Sequence, residues 1–391
     1  MERLWNSNYI KVWSANFMIF FSFMIVTPLL PLYLSEEFGA DKDTIGLVLS
    51  GYTLAALIVR PFAGYVVDSF PRKVVLLVSY FLFFAMFAGY LIAGTLTLFA
   101  VVRTLHGGPM GAVTVANSTS AIDVLPSSRR AEGIGYYGLS NNLATSIAPT
   151  VGLLIYDYFT GGFHLIFTTA LAVAGVGLFI NSLVHFPTKD IVPNKSPIRL
   201  DRFFLLKGWR ESIVVVCFAS SYGVISTYLA IYGKEELGMT SGSGLWFLIL
   251  SAGLIISRLV GARSLRQGKV AENASHGILL SLFGYLLFAA VHHPIGFYGT
   301  ALIVGLGNGH LWPAMQTMFI NLAHNNQRGT ANSTMLTSWD AGMGLGVVGG
   351  GCVAEYLGYG AAFWAAWIFN LLGVIIFFLK ARQHFVTNKL R

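Results

Sequence analysis

Charge is what this sequence has least of. Asp, Glu, Lys and Arg make up 11% of its 391 residues, where a soluble domain carries about 25%. A chain this lean cannot clothe a water-facing surface, which excludes the soluble globular class. Cysteine is almost absent as well. Cys217 and Cys352 both lie in apolar runs and are read as free thiols, with neither a disulfide framework nor zinc spacing. No cluster of metal ligands and no nucleophile–base pair occurs at useful spacing, so an enzyme is not expected, and no cofactor is implied. The pair His292-His293 sits at the end of an apolar run and is read as interfacial. There is no phosphate-binding glycine loop, so ATP is not expected as the direct energy source. The first apolar run is long enough to span a bilayer and lacks a small-residue cleavage site, so it is not read as a signal peptide.

What the chain has in excess is hydrophobic residues, 55% of the total with 30 phenylalanines. Apolar runs of about 20 residues recur along its length, which defines an all-α polytopic membrane protein. Twelve transmembrane helices are predicted, at 11–34, 44–67, 74–95, 98–122, 133–156, 162–185, 211–233, 243–263, 274–292, 295–322, 330–354 and 359–379. The one long loop, Phe186 to Arg210, holds three prolines with Lys189, Lys195, Arg199, Arg202, Lys207 and Arg210. It divides the chain into a six-helix bundle over 1–186, a linker over 187–209 and a second bundle over 210–391. The net charge of +8 sits in short loops, so it reports membrane orientation rather than nucleic-acid binding. Lys and Arg concentrate at the amino terminus, after spans 2, 4, 6, 8 and 10, and in the tail with Lys380, Arg382, Lys389 and Arg391. The other side has only Lys42 and Lys234 among Glu36, Glu37, Asp41, Asp43, Asp157, Glu235, Glu236 and Glu355. Both termini are therefore expected to be cytoplasmic. The short loops favour a bacterial inner membrane, with the lipid bilayer and a small-molecule substrate as partners of a monomer.

The two halves repeat. Tyr33-Leu-Ser-Glu-Glu-Phe-Gly39 aligns with Tyr232-Gly-Lys-Glu-Glu-Leu-Gly238, a shift of 232 − 33 = 199, and Arg130–Asp157 aligns with Arg328–Glu355, a shift of 328 − 130 = 198. Gly107 and Gly111 fall on Gly305 and Gly309 at the second shift. An even offset of six helices makes the repeats parallel. Such pairs are related by an axis along the membrane normal, with a substrate site expected near the midplane.

One stretch organises the rest: Arg60 to Lys73, RPFAGYVVDSFPRK. Gly64 permits close helix approach. Asp68 is a carboxylate at a membrane edge, and Arg72 and Lys73 can pair with it or cap a helix end. This stretch resembles the signature loop between the second and third helices of the major facilitator superfamily, with Ser69 and Pro71 in place of the usual Arg and Gly. The second-half counterpart, Gly261 to Lys269, has Leu265 where the first half has Asp68. In span 4 the order Arg103-x-x-His106-Gly-Gly resembles the fourth-helix motif of the proton-coupled exporters in that superfamily. In span 5, Gly135, Pro149 and Gly152 resemble the antiporter motif of drug exporters, with Ala144, Ala148 and Leu153 replacing three of its glycines.

The resemblance implies the twelve-helix major facilitator fold and secondary active transport by rocker-switch alternating access, driven by a proton gradient. It assigns Arg103 to proton coupling or substrate contact, and Gly64, Asp68, Arg72 and Lys73 to a conformational latch. An arginine in a span is costly and is by default a functional candidate. His106 lies one turn on, either titrating near neutral pH or serving in helix packing. Asp340, whose repeat partner is Asn142, is a carboxylate well inside span 11 and is assigned to proton exchange, against a structural role beside His310, Arg103 or a backbone donor. Cavity candidates are Asn16, Asn117, Tyr137, Asn141, Asn142, Tyr222, Tyr228, Asn308, His310, Trp312, Gln316 and Trp339, since a buried amide must find a partner. Arg60 and Arg258 sit at matching helix ends, as gate or snorkelling residues. The expected activity is efflux of a small amphipathic compound: a drug, a siderophore-like compound or another metabolite. The alternatives are proton-coupled uptake of an organic anion at Arg103 and a membrane sensor that does not transport.

Overall fold

The computed structural model describes residues 3–40, 42–159, 162–186, 200–238 and 243–390. Linker residues 187–199, together with Asp41 and Arg391, lie outside the described residues, as do the side chains of Lys42, Asp43, Leu153, Asp157, Lys234, Glu235 and Glu355. The described chain is helical almost throughout, with no strand among those residues. This follows from the solvent: in hydrocarbon every backbone N–H and C=O must be satisfied internally, which a helix does segment by segment.

The helices are α1 (Ser7–Val26), α2 (Leu30–Phe38), α3 (Lys42–Ser69), α4 (Arg72–Ile92), α5 (Leu96–Val124), α6 (Arg130–Tyr158), α7 (Gly162–Ser182), α8 (Trp209–Glu235), α9 (Ser243–Arg266), α10 (Val270–Ala290), α11 (Pro294–Leu322), α12 (Arg328–Ile376) and α13 (Arg382–Asn388). One predicted span is broken and one predicted gap is reduced to a single residue. The first span is divided by a 3-10 turn at Thr27–Leu29, where Pro28 and Pro31 remove backbone donors. Spans 11 and 12 both fall within α12 and are parted, in the predicted gap between them, at Gly358, whose φ of 85° only glycine adopts without cost. Eight stretches among the described residues are long and apolar enough to cross a membrane. Helices α5, α6, α11 and the part of α12 before Gly358 are not among them. These four form two repeat pairs, α5 with α11 and α6 with α12, and they carry most of the polar residues singled out above.

The chain forms two compact units. One comprises Met1–Gly133, Tyr137–Phe204 and Asn326–Ser333; the other comprises Ile134–Tyr136, Leu205–Asn325 and Thr334–Arg391. In the first, α3 packs on α5, α1 on α7, and α4 on both α5 and α7. In the second, α11 packs on α9 and α10. The same backbone contact recurs in each. A Cβ on Gly111 would lie 2.8 Å from the carbonyl oxygen of Ala56, and one on Gly309 would lie 3.0 Å from that of Leu254. The partners differ by 254 − 56 = 198, the sequence repeat. Glycine lets the backbones touch where lipid gives no hydrophobic drive to association. Aromatic side chains fill each core, with Phe83, Phe87, Tyr90, Phe99 and Phe167 in the first and Trp246, Tyr285, Phe288, Phe297 and Phe363 in the second.

The C-terminal helix is fastened to the second unit. His384 Nδ1 lies 2.9 Å from Glu211 Oε1, and the Glu211 side chain is fully buried. Lys207 Nζ donates to the Asn388 carbonyl at 3.0 Å, and the Leu390 amide donates to the Asn321 carbonyl at 2.8 Å. Removing one partner of a buried pair strands the other and costs about 3–5 kcal/mol. His384→Ala is therefore expected to lower the thermal unfolding midpoint of detergent-purified protein by several degrees. His384→Gln, which retains a donor, is expected to restore most of that loss.

Candidate functional site

The stretch around Asp68 is built from the end of α3 and the start of α4. Asp68 Oδ1 accepts the Gly329 N–H at 2.8 Å. Its Oδ2 accepts the Thr330 N–H at 2.7 Å and the Thr330 hydroxyl at 2.9 Å. Arg328 opens α12, so these are first-turn amides, which have no acceptor within their own helix. The acceptor is supplied from 261 and 262 residues earlier in the chain, and its negative charge suits the positive end of the helix dipole. Arg72 donates to Asp68 Oδ1 at 3.2 Å and to the Val67 carbonyl, while its Nε donates to Asp123 Oδ2 at 2.7 Å. Arg328 closes the chain with a 2.8 Å bond to Asp123 Oδ1. Alternating charges thus run Asp68–Arg72–Asp123–Arg328, all in the first unit and all largely buried. Lys73 is half-buried beside them and forms no ion pair among the described residues.

Gly64 is required here. A Cβ on it would lie 2.6 Å from Ser333 Cβ, and one on Gly329 would lie 2.7 Å from the Gly64 carbonyl oxygen. Ser333 donates to the carbonyl of Arg60. Asp123 and Arg328 did not emerge from the sequence as site residues. A signal was present: Asp123 falls on Asn321 (321 − 123 = 198), the same loss of an acid that sets Asp68 against Leu265.

Arg103 and His106 meet in the first unit. Arg103 Nη1 donates to the Tyr90 hydroxyl at 3.1 Å, and that oxygen lies 2.7 Å from His106 Nδ1. The Arg103 guanidinium stands over the Tyr52 ring at 4.1 Å and over the Phe23 ring at 5.4 Å. Tyr52 and Phe23 stack at 5.1 Å. Arg103 is 3% exposed and has no carboxylate partner among the described residues. It is a desolvated cation held by rings and one hydroxyl.

Other polar candidates in this unit form a network. Tyr137 donates to Asn16 Oδ1 at 2.6 Å and accepts from Asn117 Nδ2 at 2.8 Å. Asn16 Nδ2 donates to Ser140 at 2.8 Å, and Asn181, which the sequence reading passed over, donates to Asn117 Oδ1 at 2.9 Å. Asn16, Asn117 and Tyr137 are buried, so the network ties α1, α5, α6 and α7 together. Asn141 and Asn142 are half-buried on α6, and Asn142 Nδ2 has no hydrogen-bond partner among the described residues.

In the second unit Trp339 meets Trp312 edge to face at 4.7 Å and Tyr222 at 5.9 Å. The three half-buried rings come from α12, α11 and α8. Tyr228 instead donates to the Val347 carbonyl at 2.7 Å. His310 Nδ1 lies 2.9 Å from Asn273 Oδ1, and Asn273 Nδ2 donates to the His310 carbonyl at 2.9 Å, so His310 joins α11 to α10. Gln316 is buried, and Asn308 and Asp340 are half-buried. Small residues bring α12 against α8: Ser220 donates to the Gly342 carbonyl at 2.9 Å, and a Cβ on Gly342 would lie 2.5 Å from the Val216 carbonyl oxygen. Gly342, Gly346, Gly350 and Gly351 of TSWDAGMGLGVVGGG thus serve packing against α8, whereas Gly344 and Gly349 face open space.

Comparison with known proteins fits this geometry. The family model described as Major Facilitator Superfamily matches residues 12–271 and 274–390. The staphylopine export protein of Staphylococcus aureus is 22% identical over 382 residues, covering 94% of this chain and 93% of the relative. The quinolone resistance protein NorA of the same species is 22% identical over 335 residues, covering 81% and 83%. Among solved structures, the human organic anion transporter MFSD10 superposes with a TM-score of 0.78 at 15% identity, over 95% of this chain and 99% of that one.

Deleting a charge-assisted acceptor that serves two amides, a hydroxyl and an arginine costs about 1.5–3 kcal/mol per bond at most. If that stabilisation belongs to one conformation, Asp68→Ala is expected to slow turnover by about tenfold or more while changing ligand affinity less than about threefold. Initial rates and equilibrium binding measured on the same preparation distinguish this from a direct binding role, in which affinity would fall with rate.

Proposed function

Because this chain belongs to the Major Facilitator Superfamily and is a multi-pass membrane transporter, we propose that it couples export of a small amphipathic compound to inward proton movement. The substrate class is a drug, a siderophore-like compound or a related metabolite, and the mechanism is rocker-switch alternating access. The membrane is a bacterial inner membrane, with both termini in the cytoplasm. The observation that carries the coupling is Arg103, a buried cation with no carboxylate partner among the described residues. A fixed charge of this kind disfavours a second positive charge nearby and attracts a negative one. It therefore makes the proton occupancy of neighbouring groups depend on which side is open. The relatives named as an export protein and a quinolone resistance protein support the outward direction.

In this mechanism Asp340 takes the exchanged proton, with His106 as a second site. A protonated carboxyl is neutral, which removes the cost of carrying its charge through a low-dielectric state. The conformational latch is Gly64, Asp68, Arg72 and Lys73, extended by Asp123 and Arg328. Its carboxylate cap on the first turn of α12 holds one end state and releases in the other. Arg103 also favours a second reading, proton-coupled uptake of an organic anion whose charge it would hold.

Proteoliposomes containing a pH-sensitive dye separate these readings. Amphipathic compounds added outside acid-loaded vesicles are expected to release protons, whereas organic acids that drive proton entry would replace export by uptake. Asp340→Asn is expected to abolish the proton signal while sparing binding of a neutral compound. Wild-type pH dependence in that variant would remove Asp340 from the coupling role.

A further inference from the structure

The Tyr90 hydroxyl was not foreseen from sequence, and it lies within hydrogen-bond distance of both Arg103 and His106. It faces them from α4, whereas they are three residues apart on α5. Its hydrogen-bond arithmetic is restrictive. Arginine can only donate, so the Tyr90 oxygen accepts from Arg103 Nη1 at 3.1 Å. Among the described residues the hydroxyl has one other neighbour at bonding distance, His106 Nδ1 at 2.7 Å. The hydroxyl hydrogen finds an acceptor there only if Nδ1 is unprotonated, since an Nδ1–H would leave that hydrogen unpaired in a buried site. This places the imidazole proton on Nε2, an atom without a hydrogen-bond partner among the described residues. The ring lies in an aromatic box, with Phe87 edge to face at 4.8 Å and Phe83 at 5.0 Å.

The titratable and charged groups facing the imidazole are few. Tyr90 faces it from α4, Tyr52 approaches from α3 at 5.9 Å, and Arg103 faces it from its own helix through Tyr90. No acid among the described residues bonds to it. A proton added to Nδ1 would turn that atom into a donor, leave the Tyr90 hydrogen without its acceptor, and set a second cation one hydroxyl away from Arg103.

We propose that Tyr90 is the positioning residue of the Arg103 site: its hydroxyl seats the guanidinium on Tyr52 and fixes His106 as the neutral tautomer protonated at Nε2. His106 then acts as a sensor of where Arg103 is. While the guanidinium is seated, the imidazole stays neutral, and it becomes free to take a proton at Nδ1 only when Arg103 leaves the Tyr90 oxygen. This deepens the proton-coupled reading above and rests on it for its role in transport. The tautomer and the hydrogen-bond chain stand without it.

The test uses the full-length protein in lipid nanodiscs with 15N-labelled histidine, the His106 resonances being identified by their loss in His106→Gln. At neutral pH wild type is expected to show His106 protonated at Nε2, with Nδ1 as a hydrogen-bonded acceptor. Tyr90→Phe keeps the ring against Phe99 and removes only the hydroxyl. It is expected to shift the Nδ1 resonance or mix the tautomers, and to slow transport about tenfold, a loss in the range for one hydrogen bond to a charged group. A wild-type His106 protonated at Nδ1, or a His106 spectrum unchanged by Tyr90→Phe, would overturn the assignment even if the variant unfolds at a lower temperature. If the spectrum responds but transport carries no protons, the positioning stands and the coupled-export reading fails.

Discussion

The first turn of α12 is capped by a carboxylate from far along the chain. Arg328 opens the helix, and the carboxylate that accepts the Gly329 and Thr330 amides comes from Asp68 at the end of α3. Much of the surrounding sequence follows from that single contact. Gly64 and Gly329 lack side chains because their backbones must approach closely enough for Asp68 to reach. Arg72 is held between Asp68 and Asp123, so that a buried carboxylate is not left uncompensated, and Arg328 supplies the second cation that Asp123 requires. A buried ion pair adds little net stability against its desolvation. A chain of four alternating charges, each depending on its neighbours, is better suited to being made and broken than to holding a fold permanently.

Lipid imposes the complementary constraint. With helices free to be apolar all round, fold specificity passes to the positions that are not. Glycines at a spacing of 198 residues put the same backbone contact into both units. The amide network of Asn16, Asn117, Tyr137 and Asn181 registers four helices of the first unit against one another. Of the four helices so tied, α5 and α6 are too polar to pass as simple membrane spans, while α1 and α7 each contribute one amide to an otherwise apolar span.

The architecture was legible because it depends on run length and on repetition, both linear properties of a sequence. The spans, the repeat and the Asp68 stretch could be read directly. The break at Thr27–Leu29 was hidden because a proline within an apolar run can bend a helix without ending it, whereas the break at Gly358 falls in the predicted gap between spans 11 and 12. Residues that act through partners far along the chain were harder to find. Asp123 looks like an ordinary loop-side acid until Arg72 and Arg328 flank it. Tyr90 looks like one more aromatic in an aromatic-rich helix until its hydroxyl meets Arg103 and His106. His310 and Tyr228 drew attention as polar mid-span residues, yet their bonds to Asn273 and to the Val347 carbonyl serve contacts between helices.

Backbone hydrogen exchange across the start of α12 examines the Asp68 cap most directly. The peptide containing Gly329 and Thr330 should be strongly protected in the wild-type protein. In Asp68→Asn it should exchange at least about tenfold faster, while protection beyond Ser338 is unchanged, since one charge-assisted acceptor is worth more than the 1.4 kcal/mol that a tenfold change represents. Equal protection in the two proteins would mean that the first turn of α12 is held by something other than the Asp68 carboxylate, and the latch built on it would fall.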